Sequence, residues 1–305
     1  MKIAFLIAAH TDIIQLNRLI NSLIQTGDIY IHLDKKSKFT FQLPNTSSIP
    51  NSHKIYFLQK RISVTWGGYS QIKGFKLLLE AALQNSQNYQ RFVFLSGLDY
   101  PVYSHDEIIN FFQSHIHTEF VCGFNISQCH IPKQLQKITL YHLFRDIPLN
   151  HNSFLRKAII GGTKLILKSI GLRKQPYLII NGKKWNIFYG SQWISITKEC
   201  GEYILKQLNT NKKLVRYFKT AYAPDELCIP TIVFNSPFSK NALRKETDNF
   251  KEITPLHYLN YTDHIWTYDE NDFNNIILSH KMFVRKLISN KSEKLIELLE
   301  KRKNK

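Results

Sequence analysis

The feature that most constrains the fold of this chain is a rhythm of short apolar runs alternating with segments of helical period. Residues 3–9 (IAFLIAA) are wholly apolar. From Ile13 to Gln25 the apolar positions are 13, 16, 19, 20 and 23, the spacing of one helix face. The rhythm repeats: IYIHLD at 29–34, KIYFL at 54–58, a helical stretch from about Tyr69 to Leu83, and RFVFLSG at 91–97. Strands apolar on both faces belong in a mostly parallel sheet covered by helices, so the chain reads as an α/β fold. In such sheets a ligand sits beyond the carboxyl ends of the strands. Here those ends carry His10 and Thr11, His32 and Asp34, and Ser96 to Tyr100.

Several ligand classes lack their signatures. No GxGxxG opens the first helix and no GxxxxGK[ST] occurs, which disfavours a dinucleotide-dependent dehydrogenase and a P-loop kinase. WGGYSQ (66–71) places two glycines before a helix; close approach of a nucleotide or sugar and a plain tight turn explain them equally well. The 41 Lys and Arg against 23 Asp and Glu leave a formal charge of +18, which calls for anionic partners: phosphates, an acidic glycan, a lipid surface or nucleic acid. The nucleic-acid reading lacks an RRM, KH, helix-turn-helix or zinc signature, and no nucleic acid is expected as partner. Cysteines 122, 129, 200 and 228 form no CxxC and are expected to be buried thiols.

The opening MKIAFLIAAH has the outline of a signal peptide, but HTD follows where a small-residue cleavage site belongs, so a buried first strand is expected. With no run of about 20 apolar residues, the expected location is cytoplasmic, with peripheral contact at the inner face of the membrane as a further expectation. From about residue 125 to 185 the sequence is basic and irregular. Its segment FLRKAIIGGTKLILKSIGLRK interleaves apolar and cationic residues. It could lie on an anionic membrane surface, although the Gly-Gly interruption and imperfect period favour a helix packed on the body. GSQWISIT (190–197) reads as a strand, a helix follows from about Lys198 to Leu208, and the tail from Ser292 is a charged amphipathic helix. In APDELCIPTIVFNSPF (223–238), Asp225 and Glu226 follow a proline and precede the apolar run Leu227 to Phe234. Alone, that pair is a helix start whose acids complement the positive helix end.

Taken in order, AAHTDIIQLNRLINSL, IYIHLDKKS, RISVTWGGYSQIKGFKLLLEAAL, FVFLSGLDYPVYSHDEI, YGSQWISIT, APDELCIPTIVFNSPF and MFVRKL resemble the core-2/I-branching β-1,6-N-acetylglucosaminyltransferase family, which also includes peptide xylosyltransferases. The resemblance runs from about residue 3 to 287 and is weakest over 125–185. It implies a GT-A type fold in one compact catalytic domain, with a nucleotide-sugar-binding half (1–124) and an acceptor-binding and catalytic half (125–305). It also implies an inverting enzyme that uses a UDP-sugar, UDP-GlcNAc for a β-1,6 linkage or UDP-xylose, and a glycan or lipid-linked oligosaccharide acceptor, without a metal or other cofactor.

The residues bear on that last implication. A hard divalent ion wants several carboxylate oxygens, and the chain has no Asp-x-Asp; its second strand ends in His32-Leu33-Asp34-Lys35-Lys36. Charge on the departing diphosphate then falls to cations. By the family match this is Lys286 in FVRKL, with Arg285 beside it. Where the family often offers an earlier arginine, in the segment reading LHYLNYTDHIW, this chain has His257; either protonated His257 serves, or Lys281 or Arg285 substitutes. The family's base, the Glu of its Pro-Asp-Glu motif, falls on Glu226, with Asp225 as an orienting residue. His10, Thr11, His32, Asp34, Trp66 and Tyr69 are candidates for donor contacts, and Asp99, Asp225 and Trp193 for sugar contacts. A catalytically silent glycan-binding relative is the rival of a different class.

Overall fold

The computed structural model describes residues 1–38, 53–150, 153–250, 252–260 and 265–304. Strands β1 (Ile3–Ala9), β2 (Asp28–Leu33) and β3 (Ile55–Phe57) are linked in sequence by helix α1 (Ile13–Leu23) and the segment after β2. Helix α2 (Ser70–Leu83) leads to β4 (Arg91–Ser96), β5 (Asp99–Pro101), α3 (His105–Ser114) and β6 (Glu119–Asn125). Then come α4 (Pro132–Thr139), α5 (Phe154–Ser169), the hairpin β7 (Tyr177–Ile180) and β8 (Lys183–Asn186), β9 (Phe188–Gly190) and β10 (Ser195–Thr197). Helices α6 (Lys198–Thr210), α7 (Lys212–Lys219) and α8 (Cys228–Phe234) precede β11 (Ala242–Arg244), β12 (His257–Tyr258), α9 (Phe273–Leu278), β13 (Phe283–Arg285) and α10 (Glu293–Lys303).

The central sheet runs β11-β6-β10-β4-β1-β2-β3, with β9 added on β6. Strands β3, β2, β1 and β4 are mutually parallel, as the buried apolar runs require, whereas β10 is antiparallel to both β4 and β6. The second half of the chain therefore threads strands into the sheet that the first half begins. A smaller sheet, β12-β13-β5, lies where β5 turns off the end of β4. It fixes Arg285 opposite Asp99 in register. Helix α10 secures this corner: Tyr100 donates to Glu300 at 2.7 Å, and Arg302 makes a two-pronged contact with Glu107.

Two elements differ from their sequence reading. The 190–197 segment is not one strand; it divides into β9 and β10, and Trp193 lies in the intervening turn. The Pro-Asp-Glu motif is not the first turn of α8 but a separate 3₁₀ turn, Pro224–Glu226, entered through Ala223 in the left-handed region (φ 48°). Pro224 suits that turn for the reason it suits a helix start, having no N–H to leave unpaired. All four cysteines are buried and unpaired with one another.

Candidate active site

A cleft of about 510 Å³ opens at the carboxyl ends of β1, β2 and β4, within the range of small-molecule sites. Apolar side chains, among them Phe75, Phe94 and Ile229, form its floor, and polar groups converge from loops. Of the expected residues it gathers His10, His32, Asp34, Trp66, Trp193, Asp225 and Arg285.

Each is positioned by its element. His10 follows β1 and lines the cleft; burial, then the charge of Arg285, holds its imidazole pKa below the ordinary value. His32 is buried at the end of β2, where Nε2 accepts the Ile62 N–H at 3.1 Å, and burial lowers its pKa. Asp34 is nearly saturated: Oδ1 accepts the Lys36 N–H at 2.8 Å, Oδ2 accepts the Val64 N–H at 3.2 Å, and the Lys36 ammonium lies 3.6 Å from Oδ2. Its place at a strand end is therefore spent largely on shaping the loop around Val64. Trp66 stands at the rim, 61% exposed, its ring 5.8 Å from that of Tyr222.

The two glycines of WGGYSQ resolve in favour of packing. A Cβ on Gly67, whose φ is +67°, would come 2.7 Å from the Arg145 guanidinium, and one on Gly68 would come 2.1 Å from the Asp146 carboxylate. Asp146 in turn accepts the Ser70 N–H at 3.0 Å and hydroxyl at 2.6 Å at the start of α2. The glycines thus admit the loop after α4 against the α2 N-terminus.

On one side of the cleft lies a fixed cation. Arg285 Nη1 is 2.8 Å from Asp99 Oδ1, also donates to Ser96 Oγ, and the guanidinium lies 4.8 Å from the centre of the Trp193 ring. Asp99 is fully buried. Burial works against its charge, yet Arg285, followed by His257 and the Ser96 N–H, outweighs it and holds the carboxyl below the usual range. Asp99 thus acts on Arg285 and does not line the cleft. His257 is 1% exposed, 3.3 Å from Asp99 Oδ2, and stacked on Phe283; burial lowers its pKa, so near neutral pH it is an uncharged partner of Asp99. Lys281 reaches the Pro255 carbonyl at 3.2 Å, away from the cleft. Lys286 is half-buried beside Arg285, its backbone paired with Trp266 and Tyr268.

On the other side lie the carboxylates. Asp225 is 8% exposed and faces the cleft. Its Oδ2 accepts from the Gln71 amide at 2.9 Å, while Oδ1 has no partner among the described residues. Burial, then the charge of Glu226, pushes its pKa up to about 7. Glu226, half-buried on the same turn, has its carboxylate 3.6 Å from the Lys137 ammonium and a hydrogen bond with Tyr189. Its pKa is also raised, because burial outweighs Lys137 and Tyr189. It is not among the residues lining the main cleft, and neither are Thr11 and Tyr69; Thr11 is exposed and Tyr69 packs in the core.

Sequence reasoning did not single out Gln71, Lys137 or Tyr189. Gln71 stood inside a quoted motif, one residue into α2, and its position after the glycine turn was the signal available. Lys137 comes from the segment with the weakest pattern and offered none.

The family model described as Core-2/I-Branching enzyme matches residues 3–277. Xylosyltransferase oxt of Drosophila melanogaster is 24% identical over 244 residues, 77% of this chain and 24% of its own. A mouse protein, beta-1,3-galactosyl-O-glycosyl-glycoprotein beta-1,6-N-acetylglucosaminyltransferase 4, is 24% identical over 239 residues, 76% of this chain and 46% of its own. The chain thus spans less than half the length of these curated relatives. The crystal structure of S. aureus TarS 1–349 overlaps 47% of this chain and 42% of its own, at 17% identity and a TM-score of 0.28, too slight a likeness to carry an argument. With the family model matched from the first strand into α9, the chain belongs to the Core-2/I-branching enzyme family; Arg285 and Lys286 lie beyond the matched residues.

Proposed function

We propose that the chain is an inverting, metal-independent glycosyltransferase that moves a sugar, GlcNAc in a β-1,6 linkage, from a UDP donor to a glycan acceptor. The observation that carries this reading is the opposition, across one cleft, of a rigid cation (Arg285) and a carboxylate of weakened acidity (Asp225), with Glu226, outside the cleft lining, next to Asp225 on the same turn. The donor diphosphate would lie toward Arg285, with Lys286 beside it, and the acceptor toward the Pro-Asp-Glu turn. Glu226 takes the proton of the attacking hydroxyl as its oxygen bonds to the anomeric carbon from the face opposite the diphosphate. The bond from that carbon to UDP breaks, its electron pair leaves on the phosphate oxygen, and the two cations offset the charge that grows there. Attack from the opposite face inverts the anomeric centre.

A general base does best with a pKa close to working pH, and burial raises both carboxylates of the turn. Metal independence draws support from Asp34, the acid at the strand end, whose oxygens are already engaged by two N–H groups and an ammonium. UDP-xylose is the alternative donor, favoured by the similarity to a protein named as a xylosyltransferase. The test is a panel of UDP-sugars incubated with the purified chain, with UDP release followed by phosphorus NMR. UDP-GlcNAc should be consumed fastest. Faster use of UDP-xylose would move the donor, and failure of every UDP-sugar to bind or turn over would overturn the proposal.

A further inference from the structure

Helix α5 carries a second stripe of large apolar residues on the side turned away from the body. A helix on a protein surface normally turns its apolar stripe inward. In α5 the residue buried against the body is Arg156, which donates to the Arg145 carbonyl at 2.7 Å, with Ile159, Ile160, Thr163 and Leu167 half-buried on the same side. Phe154, Leu155, Leu165 and Ile166 face solvent, and Ile170 continues their stripe at the helix end. Phe154 is 86% exposed and Leu165 68%. At about 100° per residue, positions 154, 155, 158, 162, 165, 166 and 169 share one face. Ala158, Gly162 and Ser169 are small and exposed, so the large side chains stand clear of their surroundings. The Gly-Gly pair does not break the helix, and a Cβ on Gly161 or Gly162 would meet nothing within 4 Å.

The charges around this stripe select its partner. Residues 154–174 contain six Lys and Arg and no Asp or Glu. Arg156 and Lys174 are buried; Lys157, Lys168 and Arg173 are exposed and Lys164 is half-buried, and these three lysines follow one flank of the stripe. A second copy of the helix would bring like charges together with the apolar faces, which works against pairing. An anionic lipid surface accepts both parts at once: the stripe enters the headgroup and acyl boundary while the cations meet lipid phosphates. No helix among the described residues is long and apolar enough to cross a membrane, so the contact is one of lying on the surface.

We infer that α5 docks the protein on an anionic bilayer. The inference is independent of sugar transfer and needs no turnover to be tested. Arg156 ties α5 to Arg145, whose guanidinium lies 6.0 Å from the Trp66 ring at the rim of the cleft. Docking therefore sets the cleft mouth beside the lipid.

The full chain would be sedimented with vesicles of phosphatidylcholine alone and of equal parts phosphatidylcholine and phosphatidylglycerol, with Leu165→Ser/Ile166→Ser and Lys157→Gln/Lys168→Gln alongside. All four positions are on the outer side of α5, so thermal melts should stay at the wild-type value. Wild type should partition onto the anionic vesicles and much less onto neutral ones, and each double variant should lower that partitioning by about tenfold or more. Absence of binding to anionic vesicles would overturn the inference. So would binding that Leu165→Ser/Ile166→Ser leaves intact, which would be the diffuse attraction of a +18 protein. A wild-type dimer that this variant dissolves, without vesicle binding, would assign the face to a second copy instead.

Discussion

The Arg285 guanidinium and the Asp99 carboxylate meet at 2.8 Å beneath the cleft, the acid fully buried and the base open to the cleft at its edge. The pair converts a flexible cation into a fixed one. Asp99 takes the place that a solvated counter-ion would otherwise hold, and Trp193 covers one side of the guanidinium. Breaking a buried pair by removing one partner typically costs about 3 kcal/mol or more, so Asp99→Asn should lower stability on that scale. Because Arg285 then loses its anchor, UDP affinity should fall too, as titration calorimetry on the folded variant would show. A variant that binds UDP normally would separate Asp99 from the site.

The proposed mechanism gives leaving-group charge to Arg285 and to its neighbour Lys286, which is not among the residues lining the cleft. Removing one electrostatic partner of a transition state usually costs about 10²-fold or more in kcat, so Lys286→Ala and Arg285→Ala should each lower kcat on that scale and weaken UDP binding. Arg285→Lys should not restore the loss, since a point charge replaces a fork oriented by Asp99 and Ser96. Steady-state kinetics and UDP calorimetry decide this. Wild-type kinetics for Lys286→Ala would return it to the solvated surface.

Asp225 gives a pH signature. Its pKa is about 7 in the folded chain against about 4 for an exposed aspartate. Between those values the folded state holds a proton that the unfolded state has lost, so this group's contribution to stability falls as pH rises from about 4 to 7. Asp225→Asn removes the penalty and keeps an oxygen for the Gln71 amide. Relative to wild type, its Tm should therefore rise more at pH 8 than at pH 4, by the equivalent of roughly 2 kcal/mol or more. Equal shifts at both pH values would mean that Asp225 is ionised at little cost.

Turnover should survive EDTA, since the proposal gives leaving-group charge to Arg285 and Lys286. Loss of activity on chelation, with recovery on adding Mn²⁺, would contradict the metal-free mechanism.

The parallel core was legible because both faces of β1, β2 and β4 are buried, and burial on both faces forces unbroken apolar runs such as IAFLIAA. The strand-end rule then placed His10, His32 and Asp34 in the cleft before any geometry was known. What the pattern could not show was which polar groups serve each other. Asp99 reads as a free acid after a strand, yet its partners Arg285 and His257 lie 186 and 158 residues further on. The same limit hid Lys137, whose pairing with Glu226 depends on how α4 packs. Helix α5 was expected to pack on the body; its outward apolar stripe depends on which face Arg156 ties down, a tertiary fact that period alone does not carry.

Glycosyl transfer by Glu226→Gln tests the central claim most directly, with UDP-sugar affinity measured on the same preparation. Glutamine keeps the size of the side chain and a hydrogen bond for Lys137 or Tyr189 but cannot take the acceptor's proton. Positioned bases typically contribute about 10²- to 10⁴-fold. Folding and donor affinity should therefore persist while kcat falls by that factor, with KM little changed because the proton moves only in the transition state. Near-normal transfer by Glu226→Gln would contradict the account and turn attention to Asp225, the carboxylate that faces the cleft.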